Sequence, residues 1–220
     1  MKVVGIQGSP SSVSRSSTLL ALAQSRLQSV ASSVHTVVVR DLPAQALLRA
    51  QFDDALIRQA LAEVEQAQVV LVATPIYKAA YSGVLKAFLD LLPQDALRGK
   101  TVLPLATGGS LAHLLALDYA LKPVLSALGA RDILDPVFAT DAQIPKHDAL
   151  GYEPSSEIVA RVDQALQSLL DRAEEFARVE EAERERDELL ARLQPRPALP
   201  NNIAMSDTPE WPARDVRWSV

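Results

Sequence analysis

The chain has 220 residues, of which 48 % are hydrophobic and 22 % charged, and its formal net charge is -5 at pH 7. This composition is that of a globular protein and excludes a wholly disordered or fibrous chain. The absence of cysteine excludes disulfide scaffolds, thiolate metal sites and cysteine nucleophiles. The three histidines show no metal-ligand spacing, so no metal is expected, and the mild acidity argues against a nucleic-acid partner.

No membrane segment is expected either, because no apolar run approaches the roughly 20 residues that a membrane helix needs. Met1-Lys2 leads directly into an apolar stretch rather than a signal peptide, so the cytoplasm is the predicted location. All eight glycines precede residue 152, whereas segment 171–192 holds nine acidic and five basic residues. The sequence therefore predicts a domain over residues 1–177 and a charged helical extension with a proline-containing tail over residues 178–220.

Five apolar stretches alternate with five helical patterns along the predicted domain. Strands are predicted at 2–6, 35–39, 69–73, 102–106 and 132–138, and helices at 16–30, 52–66, 82–92, 111–128 and 157–177. This alternation predicts an α/β fold with a parallel sheet and helices on both faces, and five strands fit the flavodoxin-like order 2-1-3-4-5. Ligands bind such sheets beyond the carboxyl ends of the strands, at the switch point between strands 1 and 3. A site is therefore expected in loops 8–17, 74–81 and 107–113, the second of which begins where Thr74-Pro75 is predicted to end strand 3.

The first loop, Gly8 to Thr18, is rich in hydroxyl groups. It holds six serines, one threonine and Arg15 at the start of a predicted helix. Hydroxyls, free N–H groups and the positive end of the helix dipole suit a phosphate, and Arg15 adds a planar charged donor. The loop lacks both the glycine pattern of a dinucleotide fold and the lysine of a P-loop, which favours a mononucleotide phosphate such as that of FMN. The alternative is a solvated serine loop with a helix cap.

The other two loops have features that suit the ring of a flavin. In loop 74–81, Pro75 fixes the turn, Tyr77 offers a stacking surface and Lys78 offers a positive charge for an anionic reduced flavin. In loop 107–113, Gly108-Gly109 lets the backbone approach a ring closely, and His113 follows in the first helical turn. The alternatives are that Tyr77 packs in the protein, that Lys78 is solvated, and that His113 only caps a helix.

The predicted helix 111–128 contains an irregularity. Gly129 closes it as a natural C-cap, but Pro123 lies inside it and has no N–H to donate to the carbonyl of Tyr119. The pyrrolidine ring also crowds that carbonyl. The sequence therefore predicts a kink or a bulge near Tyr119.

These loops also resemble a known family. Gly8-Ser9-Pro10 with Ser14-Arg15-Ser16-Ser17 resembles the FMN phosphate loop of the NADPH-dependent FMN reductase family. Stretch 73–83 resembles its isoalloxazine loop, and stretch 103–109 resembles its third loop. Stretch 112–123 is similar to the branch that supplies reduced FMN to alkanesulfonate monooxygenases in sulfur assimilation. The resemblance covers roughly residues 1–175.

This resemblance implies a flavodoxin-like oxidoreductase with NADPH as the reductant and FMN as a substrate or loosely bound cofactor. Reduced FMN would leave for a flavin-dependent monooxygenase, and Tyr119 would lie in a π-bulge at the interface of a homotetramer, with a homodimer as the alternative. The cofactors would carry the hydride transfer without a catalytic side chain. The implied cofactor-binding residues are Ser9, Arg15, Ser16 and Ser17 for the phosphate, and Pro75, Ile76, Tyr77, Lys78, Thr107, Gly108 and Gly109 for the ring, with His113 as a further candidate.

Other functions remain open at this point. A quinone or azo reductase of the same fold would keep its FMN through turnover, and the purified protein would be yellow. An electron carrier of the flavodoxin type would oxidise almost no NADPH. A pure interaction protein is the remaining alternative, and only the charged extension favours it.

The extension is predicted to be helical over residues 171–193. Three pairs have favourable i,i+4 spacing, namely Glu174/Arg178, Glu180/Arg184 and Glu188/Arg192. The prolines at 195, 197 and 200 end the pattern. Trp211 and Trp218 suggest docking onto a surface, and a disordered end is the alternative.

Overall fold

The computed structural model describes residues 1–147 and 151–193. The predictions for Pro195, Pro197, Pro200, Trp211 and Trp218 therefore lie outside the described residues. The chain divides into a unit of Met1–Ala182 and a second unit that begins at Glu183. In the second unit the described residues are helical, and 183–190 are exposed. The predicted boundary after residue 177 stays a prediction.

A sheet forms the centre of the first unit. Its strands are β1 (Lys2–Gln7), β2 (Ser33–Val38), β3 (Val69–Tyr77), β4 (Ala80–Tyr81), β5 (Thr101–Gly108), β6 (Asp132–Ile133) and β7 (Val137–Thr140). The parallel order is β2-β1-β3-β5-β6, with β7 also parallel to β5, and β4 is antiparallel to β3. Two further strands, β8 (Lys146–His147) and β9 (Gly151–Tyr152), form a separate antiparallel pair. Since β5 is the fourth predicted strand and β6 with β7 is the fifth, the predicted order is confirmed, within a seven-stranded sheet.

Helices connect these strands. They are α1 (Arg15–Leu27), α2 (Ala44–Leu48), α3 (Ala55–Gln66), α4 (Gly83–Leu89), α5 (Lys122–Ala127), α6 (Ser156–Asp171) and α7 (Ala173–Leu193). A π-helix covers Leu117–Leu121, and short 3-10 turns cover Val39–Asp41, Leu111–His113 and Asp141–Gln143. Within the described residues, no helix is both long and apolar enough to cross a membrane.

The core has two layers, one on each face of the sheet. Residues of β3 are buried from Val69 to Ile76 and alternate between the layers, because successive side chains of a strand point to opposite faces. Val70 and Val72 pack in the layer that contains residues of α3 and α4. Leu71 packs in the layer that contains residues of α1 and α6. Burial on both faces explains why these strands read as unbroken apolar runs in the sequence.

The prediction that Thr74-Pro75 ends the third strand is wrong, because β3 continues to Tyr77. The carbonyl of Ala73 points toward β1, where it accepts from the N–H of Gly8 at 2.8 Å. Residue 75 points to the same side, but β1 ends at Gln7. The missing N–H of Pro75 therefore costs no sheet hydrogen bond, while the other side of β3 keeps its pairing with β5.

Most other predicted elements differ in their bounds by a few residues, and three differ in ways with a clear cause. The fifth strand divides into β6 and β7 around Pro136, which has no N–H for the sheet. The second helix begins at Ala55, because Asp54 accepts from two N–H groups as its N-cap, and α2 before it was not predicted. The predicted helix 157–177 divides at Arg172, the C-cap of α6, and α7 follows in the place of the predicted helix 171–193.

Candidate functional site

The three loops singled out in the sequence follow β1, β3 and β5, which are neighbouring parallel strands. Their carboxyl ends therefore share one edge of the sheet. Two contacts join the first two loops directly. The N–H of Gly8 donates to the carbonyl of Ala73, and the Ser82 hydroxyl donates to the carbonyl of Gly8. A Cβ on Gly8 would lie only 2.7 Å from Cβ of Leu85, so this junction packs too tightly for any larger residue.

In the first loop, the predicted hydroxyl groups build the start of α1. Ser14 is the N-cap, and its hydroxyl accepts from the N–H of Ser17 at 3.1 Å, while Ser17 Oγ accepts from the N–H of Ser14 at 3.1 Å. Ser16 and Ser9 are buried, and Ser9 Oγ accepts from the N–H of Ser11 at 3.2 Å. The N–H groups of the first helical turn at Arg15 and Ser16 have no acceptor within the helix, and such groups bind anions.

The side chain of Arg15 contacts residues of two later stretches of the unit, 141–144 and 151–152. Its Nε donates to the carbonyl of Ile144 at 2.9 Å, and its Nη1 lies 3.5 Å from the Asp141 carboxylate. The guanidinium also stacks over the ring of Tyr152, with its central carbon 4.8 Å from the ring centroid. Arg15 therefore holds Asp141, Ile144 and Tyr152 beside the start of α1, and its predicted contact with a phosphate stays a prediction.

A second arginine, which the sequence analysis missed, reaches the first loop. Arg40 lies in the turn after β2, and its Nη1 donates to the carbonyl of Ser11 at 2.8 Å. Its Nε also lies 3.1 Å from the carboxylate of Asp41. The signal was available in the sequence, because Arg40 directly follows a predicted parallel strand and must lie at the same edge as the loop.

The second loop is a tight hairpin between β3 and β4. Ile76 pairs with Tyr81 and Tyr77 with Ala80, so Lys78 and Ala79 alone form the turn. Both have positive φ angles, 51° and 63°, as a type I′ turn requires. Such turns favour Asn-Gly, and ordinary side chains are strained there. The hairpin leaves the Tyr77 side chain half exposed and Ile76 buried.

The third loop brings glycine and histidine together. Thr107 is buried, and a Cβ on Gly108 would lie 3.2 Å from both Nδ1 of His113 and Cζ of Phe138. Gly109 has open space on its Cβ side. Nδ1 of His113 is buried and has no hydrogen-bond partner in the described part of the chain, which is costly for a polar atom. The unpartnered nitrogen lies against Gly108, and the open backbone at the next residue, Gly109, suits the approach of a polar ring.

The irregular helix after this loop is confirmed. The N–H of Lys122 donates to the carbonyl of Leu117, five residues earlier, which closes the π-helix that contains Tyr119. Pro123 falls in the first turn of α5, directly after the π-helix, so the irregular turn lies where the missing N–H interrupts a regular helix. Gly129 follows α5 with φ +89°, as its predicted role in closing the helix requires. Tyr119 is 80 % exposed, and Leu111 and Leu115 are exposed at four-residue spacing before it.

One tyrosine near the hairpin has a shifted pKa. Burial raises the pKa of Tyr81, and the nearby Lys86 opposes part of that rise. Tyr81 therefore stays a neutral hydroxyl at physiological pH. Within residues 1–147 and 151–193, no group of three or more His, Asp or Glu side chains is placed to hold a metal ion.

A cavity of about 670 Å³ lies apart from these loops, between α3 and the segment that joins α4 to β5. Phe52, Leu61 and Pro93 line it together with both acidic and basic side chains. None of the predicted site residues lines this cavity. The carboxyl edge is the better candidate for a nucleotide site, because the residues that line this cavity include neither a helix N-terminus nor a glycine.

Comparison with known proteins shows consistent similarities. The sequence profile of the NADPH-dependent FMN reductase family matches residues 1–144. An Escherichia coli protein named FMN reductase (NADPH) is 48 % identical over 169 residues, which are 76 % of this chain and 87 % of that protein. A Pseudomonas putida protein of the same name is 48 % identical over 171 residues, 78 % of this chain and 85 % of that protein. The solved apo structure of an NADH:FMN oxidoreductase (EMOB) is 41 % identical, with a TM-score of 0.68 over 76 % of this chain and 86 % of that one.

Proposed function

The chain belongs to the NADPH-dependent FMN reductase family, and from this premise we propose that the carboxyl edge of the sheet is where it binds FMN. As a member of the family it is an oxidoreductase that uses FMN and NADPH. The observation that carries the proposed site is the position of all three loops on one edge, at the switch point between β1 and β3. The cytoplasmic location stays a prediction from the sequence.

The first loop would bind the phosphate of FMN. The N–H groups of Arg15 and Ser16 would donate to the phosphate oxygens, since the cap formed by Ser14 and Ser17 leaves them without acceptors in the helix. Ser9 is fully buried, and its hydroxyl stabilises the loop by accepting from the N–H of Ser11. In this proposal the serines act mainly by shaping the loop, and the backbone makes the direct contacts.

The second and third loops would hold the flavin ring, which supplies the hydride-accepting chemistry when bound. Tyr77 would offer its exposed ring for stacking, while Ile76 and Pro75 fix the hairpin beneath it. Lys78 would place a positive charge where negative charge develops on reduction. Gly109 would let the backbone approach the ring, and orientation of the two cofactors would provide most of the rate enhancement.

Anaerobic mixing of the protein with NADPH and FMN tests this reaction. The absorbance of NADPH at 340 nm is expected to fall in proportion to added FMN and faster than in a protein-free control. NADH in place of NADPH measures the pyridine preference. No faster loss than in the protein-free control would contradict the proposal.

We further propose that reduced FMN leaves for a partner monooxygenase in alkanesulfonate or sulfur assimilation. The support is the resemblance of stretch 112–123 to that branch of the family, together with the π-helix at Leu117–Leu121. Purified protein is then expected to be colourless, and a flavin-dependent monooxygenase supplied with NADPH and FMN should turn over only when this protein is present. A yellow protein that keeps FMN through turnover would favour a quinone or azo reductase instead.

We propose a homotetramer, with a homodimer as the alternative, built through the exposed stripe of Leu111, Leu115 and Tyr119. Three large apolar side chains are exposed within nine residues around the π-helix, which is typical of an interface. The variant Tyr119→Ala is expected to lower the sedimentation coefficient or slow flavin release. Leu48→Ala, which truncates an equally exposed side chain on α2, should change neither. Unchanged sedimentation together with unchanged release in Tyr119→Ala would contradict this role.

A further inference from the structure

The first loop receives a cation from outside its own sequence. Arg40 comes from the turn after β2, and its Nη1 donates to the carbonyl of Ser11 at 2.8 Å, in the middle of the loop. The Arg40 side chain is only 23 % exposed, so water screens its charge incompletely. This guanidinium therefore lies against the loop that would bind the FMN phosphate.

Arg15, the cation within the loop, has three partners that lie outside the loop. Its Nε donates to the carbonyl of Ile144, its Nη1 lies 3.5 Å from Asp141, and its face stacks on Tyr152. A phosphate monoester carries nearly two negative charges at neutral pH. The loop therefore has an incomplete charge balance if Arg15 alone must offset that phosphate.

Arg40 also has a competing anion beside it. The Asp41 carboxylate lies 3.1 Å from Nε of Arg40, and its side chain is 62 % exposed. Because the Asp41 side of this pair is open to solvent, an anion from solution can replace the carboxylate on the guanidinium. The guanidinium can therefore keep its bond to Ser11 while it exchanges one carboxylate for another anion.

We propose that Arg40 is a specificity-determining residue for the phosphate of FMN, and that Asp41 competes with this phosphate for the same guanidinium. The inference rests on the proposed phosphate site in the first loop. When FMN binds, its phosphate takes the place of Asp41 on Arg40, and Asp41 takes that place back when FMN leaves. The pair thus provides recognition of the phosphate without tight retention, which suits a flavin that must be released.

Titration of oxidised FMN and of riboflavin, which lacks the phosphate, tests this pair of roles. Arg40→Gln is expected to weaken FMN binding about ten-fold and riboflavin binding less than about two-fold, because charge-assisted hydrogen bonds to the phosphate are lost. Asp41→Asn is expected to tighten FMN binding about three-fold, because the competing charge is removed. Arg40→Lys should lie between wild type and Arg40→Gln. Arg98→Gln, on the exposed segment before β5, is the matched control and should change neither affinity.

The outcomes separate this inference from the site on which it rests. Wild-type protein that binds FMN no better than riboflavin would overturn the proposed phosphate site, and the role of Arg40 with it. If Arg40→Gln prefers FMN over riboflavin as strongly as wild type does, the role of Arg40 alone would be overturned. Equal losses for FMN and riboflavin would show that Arg40 only tethers the loop, and looser FMN binding in Asp41→Asn would contradict the competition.

Discussion

The carboxyl edge of the sheet and helix α7 use charged side chains in different ways. At the edge, Arg15 and Arg40 are partly buried and donate to the carbonyls of Ile144 and Ser11, which lie far away in the sequence. On α7, Glu180 pairs with the N-terminal amine of Met1 at 2.8 Å, but farther along the helix the pairs are local and exposed, as in Arg192 and Glu188, whose charged atoms are 3.9 Å apart. The comparison teaches that the region with most of the net charge is not the region of the proposed site. The overall charge of -5 therefore says little about the proposed binding of an anion there.

The largest loss of stability and activity is expected from adding a side chain at Gly8, where the first two loops meet. In Gly8→Ala the new Cβ would lie 2.7 Å from Cβ of Leu85 and 3.1 Å from the carbonyl oxygen of Ala73. Overpacking of this kind costs about 1–3 kcal/mol, and FMN reduction should fall with it. Urea unfolding and the NADPH assay measure the two effects.

Gly83→Ala is the matched control, because nothing lies within 4 Å of a Cβ at Gly83. Its free energy of unfolding should stay within about 0.5 kcal/mol of wild type. Equal effects of the two alanines would contradict the tight junction at Gly8.

The next largest loss of stability is expected at Ser82, which links the hairpin to the first loop. Ser82 is buried, donates to the carbonyl of Gly8 and accepts from the N–H of Leu85 at 3.1 Å. Ser82→Ala leaves both groups unpaired and should cost about 2 kcal/mol. Ser155→Ala removes only the N-cap of α6 and should cost about 1 kcal/mol or less, as measured by the same unfolding curves. A smaller loss in Ser82→Ala than in Ser155→Ala would show that the link to Gly8 contributes nothing.

A smaller loss of stability is expected from breaking the ion pair between Asp132 and Arg172. Burial alone would raise the pKa of Asp132, but hydrogen bonds from Thr101 and Arg172 hold that pKa below its ordinary value. The stabilisation is therefore present above the ordinary Asp pKa of about 3.9 and is lost as the pH falls below it. Asp132→Asn should lower the melting temperature at pH 7. The melting temperature of the variant should also fall less than that of wild type as the pH is lowered. A variant with the same acid dependence as wild type would contradict this account.

The strained turn of the hairpin predicts that one substitution stabilises the protein. Ala79 has φ +63°, and Ala79→Gly should raise the free energy of unfolding by up to about 1 kcal/mol because glycine tolerates this conformation. Ala80→Gly, in the neighbouring extended strand, should lower it by about 0.5–1 kcal/mol. Destabilisation of similar size by both glycines would show that the turn is not strained.

The smallest effect is expected on α7. Glu188→Gln breaks the exposed pair with Arg192 and should change the free energy of unfolding by less than about 0.5 kcal/mol. The KM for FMN should not change, since no proposed site residue lies on α7. A clear rise in that KM would remove the contrast between the two regions.

Some of this architecture could be predicted because its causes are local. The buried parallel strands appear as apolar runs, their alternation with helices indicates the sheet order, and the switch-point rule locates the three loops. The irregularity near Tyr119 could be predicted from Pro123, because a missing N–H disrupts a regular helix, whereas its π form was implied only by the family resemblance.

The remaining features depend on contacts between distant residues. The partner of Arg15 is Ile144, separated by 129 positions, and no pattern around Arg15 indicates it. The continuation of β3 through Pro75 depends on where β1 ends, and the turn at Lys78 and Ala79 lacks the Asn-Gly signal of its type. Tertiary contacts decide each of these features, so no local pattern in the sequence indicates them.

Hydrogen–deuterium exchange with and without oxidised FMN tests the central claim most directly. The account predicts slower amide exchange on FMN binding in loops 8–18, 74–81 and 107–113, with no change along α7. Protection confined to the cavity between α3 and the segment before β5, or to α7, with the three loops unchanged, would contradict it.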